Sequence, residues 1–218
     1  MASSVQVLAE HGTGAVSDAL DLLGHGGTGL AGLRRVSGSG SVAGPAYTLR
    51  YAPVEAGRSA PAGDFVDDVP EGAVVLIANG GRTHCTVWGD ILSSVALRRG
   101  VAGTVIDGAC RDVGESRALG YSLWSLAAYM KSGKHRVRLE AVQVGVVVAG
   151  TPVSPGDIVV ADDSGALVVP ATVLERTAET VLEVARVERL IRADLEDGVP
   201  LRETRARHGY NALGLAGR

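Results

Sequence analysis

Apolar and polar positions along this chain switch between two periods. Residues 13–23, TGAVSDALDLL, carry apolar side chains at helical spacing behind Thr13, a residue suited to cap a helix start. A glycine-rich loop, GHGGTGLAG, ends that segment. Residues 41–50 read as extended, and 52–64, rich in Pro, Gly and Ala, as a mobile connection. A polar turn (Asp67, Asp68, Pro70, Glu71, Gly72) precedes the apolar strand AVVLIA (73–78). NGGRTHCTVWGD is then a glycine turn into a helix over 88–100, with Gly100 as its C-cap, and VAGTVI (101–106) is the next strand. Strand, helix, strand in that order predicts a crossover and parallel pairing. Further strands are expected at 141–149, 157–161 and 166–170, the last two joined by a hairpin turn at Asp162-Asp163-Ser164-Gly165. The tail, about 171–207, is helical with a break near Asp197-Gly198-Val199-Pro200. The pattern is α/β: one domain over 1–218, a mixed central sheet and helices at both termini.

Composition narrows the function classes. The chain has 218 residues, 46% of them hydrophobic and only 4% aromatic, so its core is built from Val, Leu, Ala and Ile. A net charge of −3 and the lack of a Lys/Arg stripe interleaved with aromatics argue against nucleic acid. No apolar run is long enough to span a bilayer, and the first residues lack a basic start and long apolar stretch; the expected location is cytoplasmic. Cys85 and Cys110 are too few for a disulfide framework and read as buried, reduced thiols.

The candidate chemistry lies in two loops. Ligands of open α/β sheets bind outside the carboxyl ends of the strands. NGGRTHCTVWGD leaves one such end and DGACRD another; if the strands are neighbours, the loops meet. Gly80 and Gly81 would let backbone N–H groups approach an anion, and the helix start near Trp88 and Gly89 adds positive dipole. Arg111 can hold a carboxylate with two parallel hydrogen bonds. Asp90, Asp112 and Glu115 are hard oxygen donors suited to a divalent cation that keeps several waters. Asp107 and Gly108 would shape the turn that aims Arg111 and Asp112. His84 is either a substrate contact or an ordinary loop histidine. MKSGKHRVR (130–138), with Lys131, Lys134, His135, Arg136 and Arg138, is a solvated loop or a surface for an anionic substrate tail or a partner subunit.

Asp90, a twenty-residue spacer, then Arg111-Asp112 with Glu115 three further on resembles the D-x20-R-D-x2-E/D signature of the class II pyruvate aldolases, the 4-hydroxy-4-methyl-2-oxoglutarate / 4-carboxy-4-hydroxy-2-oxoadipate aldolases, in one superfamily with the RraA-like proteins. VSDAL (16–20), GPAYTL (44–49), GVAGTVIDGACRD (100–112), PGDIVVADDSGALVVP (155–170) and RHGY (207–210) extend the resemblance over nearly the whole chain. It implies a swivelling β/β/α fold assembled as a homotrimer or hexamer, with sites near subunit interfaces. It implies Mg²⁺ or Mn²⁺ on Asp112, with Asp90 and Glu115 holding the metal's waters and Arg111 binding the oxo-acid carboxylate. Backbone near Gly89, Trp88 and Gly81, with His84, would complete substrate binding. A glutamate from the neighbouring subunit's C-terminal helix would finish the metal's outer shell, and Glu188 is its candidate. The implied reaction is retro-aldol cleavage of a 4-hydroxy-2-oxo acid to pyruvate, with oxaloacetate decarboxylation through the same enolate. The alternatives are a non-enzymatic RraA-like regulator binding a protein such as a ribonuclease, or a scaffold recruited to other chemistry. Methyl transfer, a name also attached to such chains, is excluded because no S-adenosylmethionine-type glycine loop with a ribose-binding acid is present.

Overall fold

A computed structural model describes residues 3–55 and 63–210, so residues 56–62 of the expected connection lie outside the described residues. In chain order the elements are helix α1 (Ser4–Leu22), strands β1 (Arg34–Ser37), β2 (Val42–Pro53) and β3 (Val74–Thr86), helix α2 (Asp90–Arg98), strand β4 (Gly103–Cys110), helix α3 (Val113–Leu119) and strands β5 (Leu123–Ala128), β6 (Val137–Val142), β7 (Val146–Val148), β8 (Thr151–Val153), β9 (Ile158–Asp162) and β10 (Gly165–Val169). Helices α4 (Leu174–Glu196) and α5 (Leu201–Arg207) follow.

The central sheet runs β1-β5-β4-β3-β2-β9-β10, with β6 also on β2. The β2–β3, β3–β4 and β4–β5 pairs are parallel and the others antiparallel, so the sheet is mixed as expected. Residues Val74–Ala78 of β3 are all buried, because a central parallel strand is covered on both faces. The sheet curls until its ends meet: Trp124 of β5 donates its indole N–H to the Asp162 carbonyl at 2.8 Å, and Arg35 of β1 pairs with Asp163 at 2.6 Å. Val16 and Leu20 of α1 and Val181 of α4 bury their apolar faces with Val160 and Val169 of the β9–β10 hairpin. The result is an α/β fold with a barrel-like mixed sheet and helices at both ends.

Several boundaries differ from the sequence pattern, each for a local reason. Helix α1 begins at Ser4, where the Ser3 hydroxyl accepts the Gln6 N–H, and it kinks at Gly12 (φ 74°). Thr13 does not cap the second half. Its N–H and hydroxyl both donate to the Asp162 carboxylate at 2.8 Å, so the capping oxygen comes from the end of β9. Strand β3 does not stop at residue 78. Its ladder with β4 continues through Arg82–Gly108 and Thr86–Ala109 across two irregularities, with Gly80 and Gly81 at φ 60° and 68°. The expected glycine turn is therefore a bulged strand, and α2 starts at Asp90 rather than Trp88. Asp107 and Gly108 lie inside β4, not in a turn. The stretch 141–149 divides into β6 and β7, with Gln143 at φ 54° between them. Strands β1 and β5 and helix α3 have no counterpart in the sequence reading. The 162–165 hairpin and the break at 197–200 fall where expected.

Candidate functional site

The parallel β3–β4 pair brings the start of α2 against the end of β4. The Arg111 N–H donates to the Trp88 carbonyl at 3.0 Å, which locks the two segments together at the base of the site. Strand β4 ends at Cys110, and Asp112, at φ 55° and ψ 44°, makes the corner into α3. Aspartate tolerates this left-handed geometry better than most residues. Its carbonyl accepts the Ser116 N–H at 3.0 Å and starts the helix.

At that corner Arg111, Asp112, Gly89 and Asp90 converge. Arg111 Nε lies 3.1 Å from Asp112 Oδ2, and the Asp90 N–H points at the same oxygen from 3.5 Å. Both members of the pair are partly open, at 39% and 33% side-chain exposure, so solvent and ligand reach them. The terminal nitrogens of Arg111 have no partner among the described residues. Gly89 is extended (φ −153°), and its lack of a side chain is what admits the pair: a Cβ there would stand 2.7 Å from Asp112 Oδ2 and 3.2 Å from Arg111 Nε. Glu115, one turn into α3, is exposed and shares a groove between α2 and α3 with Asp90, Ile91 and Arg98.

Behind the charged residues lies a buried hydroxyl network that the sequence pattern did not single out. The Trp88 indole N–H donates to Ser93 Oγ at 2.9 Å, and Ser93 Oγ sits 3.1 Å from Ser116 Oγ and 3.2 Å from the Gly89 carbonyl. Both serines are fully buried, tying α2 to α3. The only sequence signal for them is a serine one helical turn from a buried alanine, Ala96, on the inward face of α2.

The remaining expected site residues fall elsewhere. Trp88 is 2% exposed and stacks on Tyr121 at 6.0 Å, so its ring is core, not a substrate contact. The Gly81 N–H donates to Asp107 Oδ2 at 3.1 Å and is not free for an anion. His84 is exposed on β3 and has no hydrogen-bond or ion-pair partner among the described residues. Glu188 pairs with Arg192 at 3.1 Å on α4, which packs on α1, so it is not part of the α2–α3 corner of its own chain. Asp107 is buried, and burial pushes its carboxyl above the usual range despite N–H bonds from Gly81 and Ala149 and the nearby charge of Arg82. Cys110 is wholly buried and its thiol is pushed up by burial, in line with a structural filler. In the basic segment, Arg136 Nη1 donates to the Ser132 and Lys134 carbonyls, which folds the loop onto itself.

Among the described residues no group of three or more His, Cys, Asp or Glu side chains stands close enough to enclose a metal ion. The donor set still fits a hard cation of the magnesium type, which binds through one or two carboxylates and keeps its waters rather than filling a protein cage. Asp112 supplies that carboxylate, and Gly89 lets it lie close against the start of α2.

An α/β fold with a mixed curled sheet and an Asp/Arg-Asp corner between α2 and β4 defines the class. The chain belongs to the RraA-like family (Aldolase/RraA), whose model matches residues 13–168. It is 36% identical over 212 residues to the protein DlpA of Legionella pneumophila, covering 96% of this chain but only 34% of DlpA. It is 35% identical over 99 residues to a 4-hydroxy-4-methyl-2-oxoglutarate aldolase of Thermus thermophilus, covering 45% of this chain and 60% of that one. The chain thus spans about a third of the one relative and less than two thirds of the other. Among solved structures it matches an uncharacterized protein from Pseudomonas syringae with TM-score 0.85 and 37% identity, over 93% and 96% of the two chains. It also matches Streptomyces coelicolor RraAS2, described as an unusual member of the RNase ES inhibitor RraA family, with TM-score 0.79 and 29% identity, over 87% and 96%. No helix among the described residues is long and apolar enough to cross a membrane.

Proposed function

We propose that the chain is a divalent-metal-dependent carbon–carbon lyase that cleaves a 4-hydroxy-2-oxo acid to pyruvate. The carrying observation is the corner itself: the Asp90 N–H and, beyond a twenty-residue spacer, Arg111 and Asp112 meet around one carboxylate oxygen, with a glycine letting the pair lie against the start of α2. The relative named as a 4-hydroxy-4-methyl-2-oxoglutarate aldolase supports the reading.

In this proposal Asp112 holds Mg²⁺ or Mn²⁺ directly, and Asp90 and Glu115 orient its waters. Bound there, the cation supplies Lewis-acid charge for the substrate ketone and lowers the pKa of coordinated water. Arg111 does the rest of the anion work. Its terminal nitrogens grip the carboxylate of the oxo acid, while its Nε stays on Asp112. The grip fixes the C3–C4 bond for cleavage once the C4 hydroxyl proton leaves. As that bond breaks, negative charge develops on the pyruvate enolate, and the guanidinium stabilises it. Protonation at C3 releases pyruvate. Decarboxylation of oxaloacetate gives the same enolate, so one site serves both substrates. Glu188 would act on a neighbouring subunit's site in a homotrimer or hexamer. The test is pyruvate release from 4-hydroxy-4-methyl-2-oxoglutarate and from oxaloacetate by purified protein. Turnover that needs Mg²⁺ or Mn²⁺ and stops with EDTA supports the reading; no metal-dependent turnover of either substrate refutes it.

A second reading is favoured by one observation, the structural likeness to RraAS2. It makes the chain a non-enzymatic regulator that binds a ribonuclease. It predicts a protein that inhibits such a partner and is indifferent to Asp90→Asn.

A further inference from the structure

Strand β1 opens with two consecutive arginines, and the loop after it reads Gly38-Ser39-Gly40-Ser41. Arg34, Arg35, Gly38, Ser39, Arg117 of α3 and Asp163 of the β9–β10 turn line an open pocket of about 540 Å³. That is a size typical of small-molecule sites, roughly 300–1,000 Å³. No residue of this pocket lies in the α2–α3 groove of Asp90 and Glu115.

Arg35 is the feature that points to a ligand. Its side chain is only 10% exposed, and the guanidinium lies 4.8 Å over the Trp124 ring. Nη2 donates to the Gly40 carbonyl. Nε stands 2.6 Å from Asp163 Oδ1 as an ion pair, but its N–H is not directed along that line and makes no hydrogen bond. Nη1 is buried with no hydrogen-bond partner among the described residues. A buried donor without an acceptor is costly, and native structures normally satisfy it. The neighbouring cations are also underused. Arg117 commits only its Nε, to the Val36 carbonyl at 2.9 Å, and Arg34 has no hydrogen-bond or ion-pair partner among the described residues. Against three guanidinium groups stands one carboxylate, Asp163, at 85% side-chain exposure.

We propose that this pocket binds a phosphate group, as inorganic phosphate or as the phosphomonoester end of a small metabolite. An excess of two positive charges matches a dianion, where a lone carboxylate would need a single fork. Arg34 and Arg117 close on the phosphate oxygens, and Arg35, pre-set by Trp124 and Gly40, adds its charge to the pocket wall. The site is independent of the lyase reading.

The experiment is calorimetric titration of the full chain, at fixed ionic strength, with inorganic phosphate, glycerol 3-phosphate and acetate. Phosphate or glycerol 3-phosphate binds with Kd below about 1 mM, and acetate gives no saturable heat. Tighter binding of glycerol 3-phosphate assigns an organic phosphate; equal binding assigns the free ion. Arg34→Glu weakens binding at least about tenfold and Arg34→Ala by less, both at unchanged melting temperature because Arg34 is exposed. Arg111→Ala leaves phosphate binding intact. The proposal is overturned if neither phosphate compound binds, if Arg34→Glu binds as well as the parent chain, or if Arg111→Ala abolishes the signal.

Discussion

The guanidinium of Arg111 turns back on the residue that follows it, so that its Nε lies 3.1 Å from Oδ2 of Asp112. One edge of the arginine thereby fixes the carboxylate, and the other edge remains open for an anion. Arg111→Lys keeps the charge and loses this division of labour. It should lower kcat for pyruvate release by about 10²–10³-fold, the usual effect of removing one stabilising donor from a developing oxyanion. Its melting temperature should barely move, because a pair this exposed contributes little to stability. Steady-state kinetics beside thermal unfolding checks both halves.

Gly89 makes a sharper case. Its backbone is extended, so alanine meets no dihedral penalty there, and only the added methyl matters. That methyl would stand 2.7 Å from Asp112 Oδ2 and must push the carboxylate aside. Gly89→Ala should lose at least about tenfold in kcat/KM, since small displacements of a catalytic group are costly. Isothermal titration with Mn²⁺ should show weaker binding in the same variant. Unchanged metal affinity and turnover would mean that Asp112 does not work from this position.

Two aspartates outside that corner should titrate on opposite sides of the usual carboxylate value of about 3.9. Burial raises the Asp162 carboxyl, but hydrogen bonds from the Thr13 backbone and side chain, Ser164 and Gly165 outweigh it, and the net shift is downward. Its contribution to stability is therefore present above the unfolded-state pKa and lost as pH falls through the folded one. Asp162→Ala should cost about 1–3 kcal/mol near neutral pH, with the difference from the parent chain shrinking in acid. Asp107 is shifted upward by burial, so its contribution is full below the unfolded-state pKa and lost as pH rises through the folded one. Carboxyl chemical shifts followed by NMR should give a midpoint below the usual value for Asp162 and above it for Asp107.

Both cysteines should be silent to thiol reagents in the native state. Cys85 and Cys110 have no exposed surface, and burial raises both thiols. Labelling with a maleimide should reach neither residue before unfolding and both in guanidinium. Rapid labelling of Cys110 in native protein would reopen a role beside Arg111.

The outline of the fold was legible where the physics is periodic. The buried run at 73–78, the hairpin at Asp162–Gly165 and the helical tail announce themselves, because continuous burial, a two-residue turn and a 3.6-residue repeat each leave a mark. The bulged half of β3 does not. Apart from Cys85, its residues from Asn79 to Thr86 are polar or glycine, and their strand character comes from pairing with β4, which no local pattern encodes. For the same reason Asp107 and Gly108 looked like a turn. Strand β5 was missed because LWSLAA is short, interrupted by a serine and buried only over its first three residues, so it shows neither a long apolar run nor alternation. That Asp90 meets Arg111 and Asp112 followed from the parallel β3–β4 pairing that the strand, helix, strand order implied. The roles of Ser93 and Ser116 did not, since a buried hydroxyl network depends on how two helices meet. Of the backbone expected to face substrate, the Gly81 N–H is already held by Asp107 and the Trp88 carbonyl by the Arg111 N–H.

The most direct measurement compares pyruvate formation by the parent chain and by Asp112→Asn, each saturated with Mg²⁺. Asparagine keeps the volume and the corner into α3 but removes the negative charge that holds the cation. Turnover should fall by more than about 10²-fold, with the melting temperature unchanged. Full metal-dependent turnover by Asp112→Asn would contradict Asp112 as the ligand of the metal.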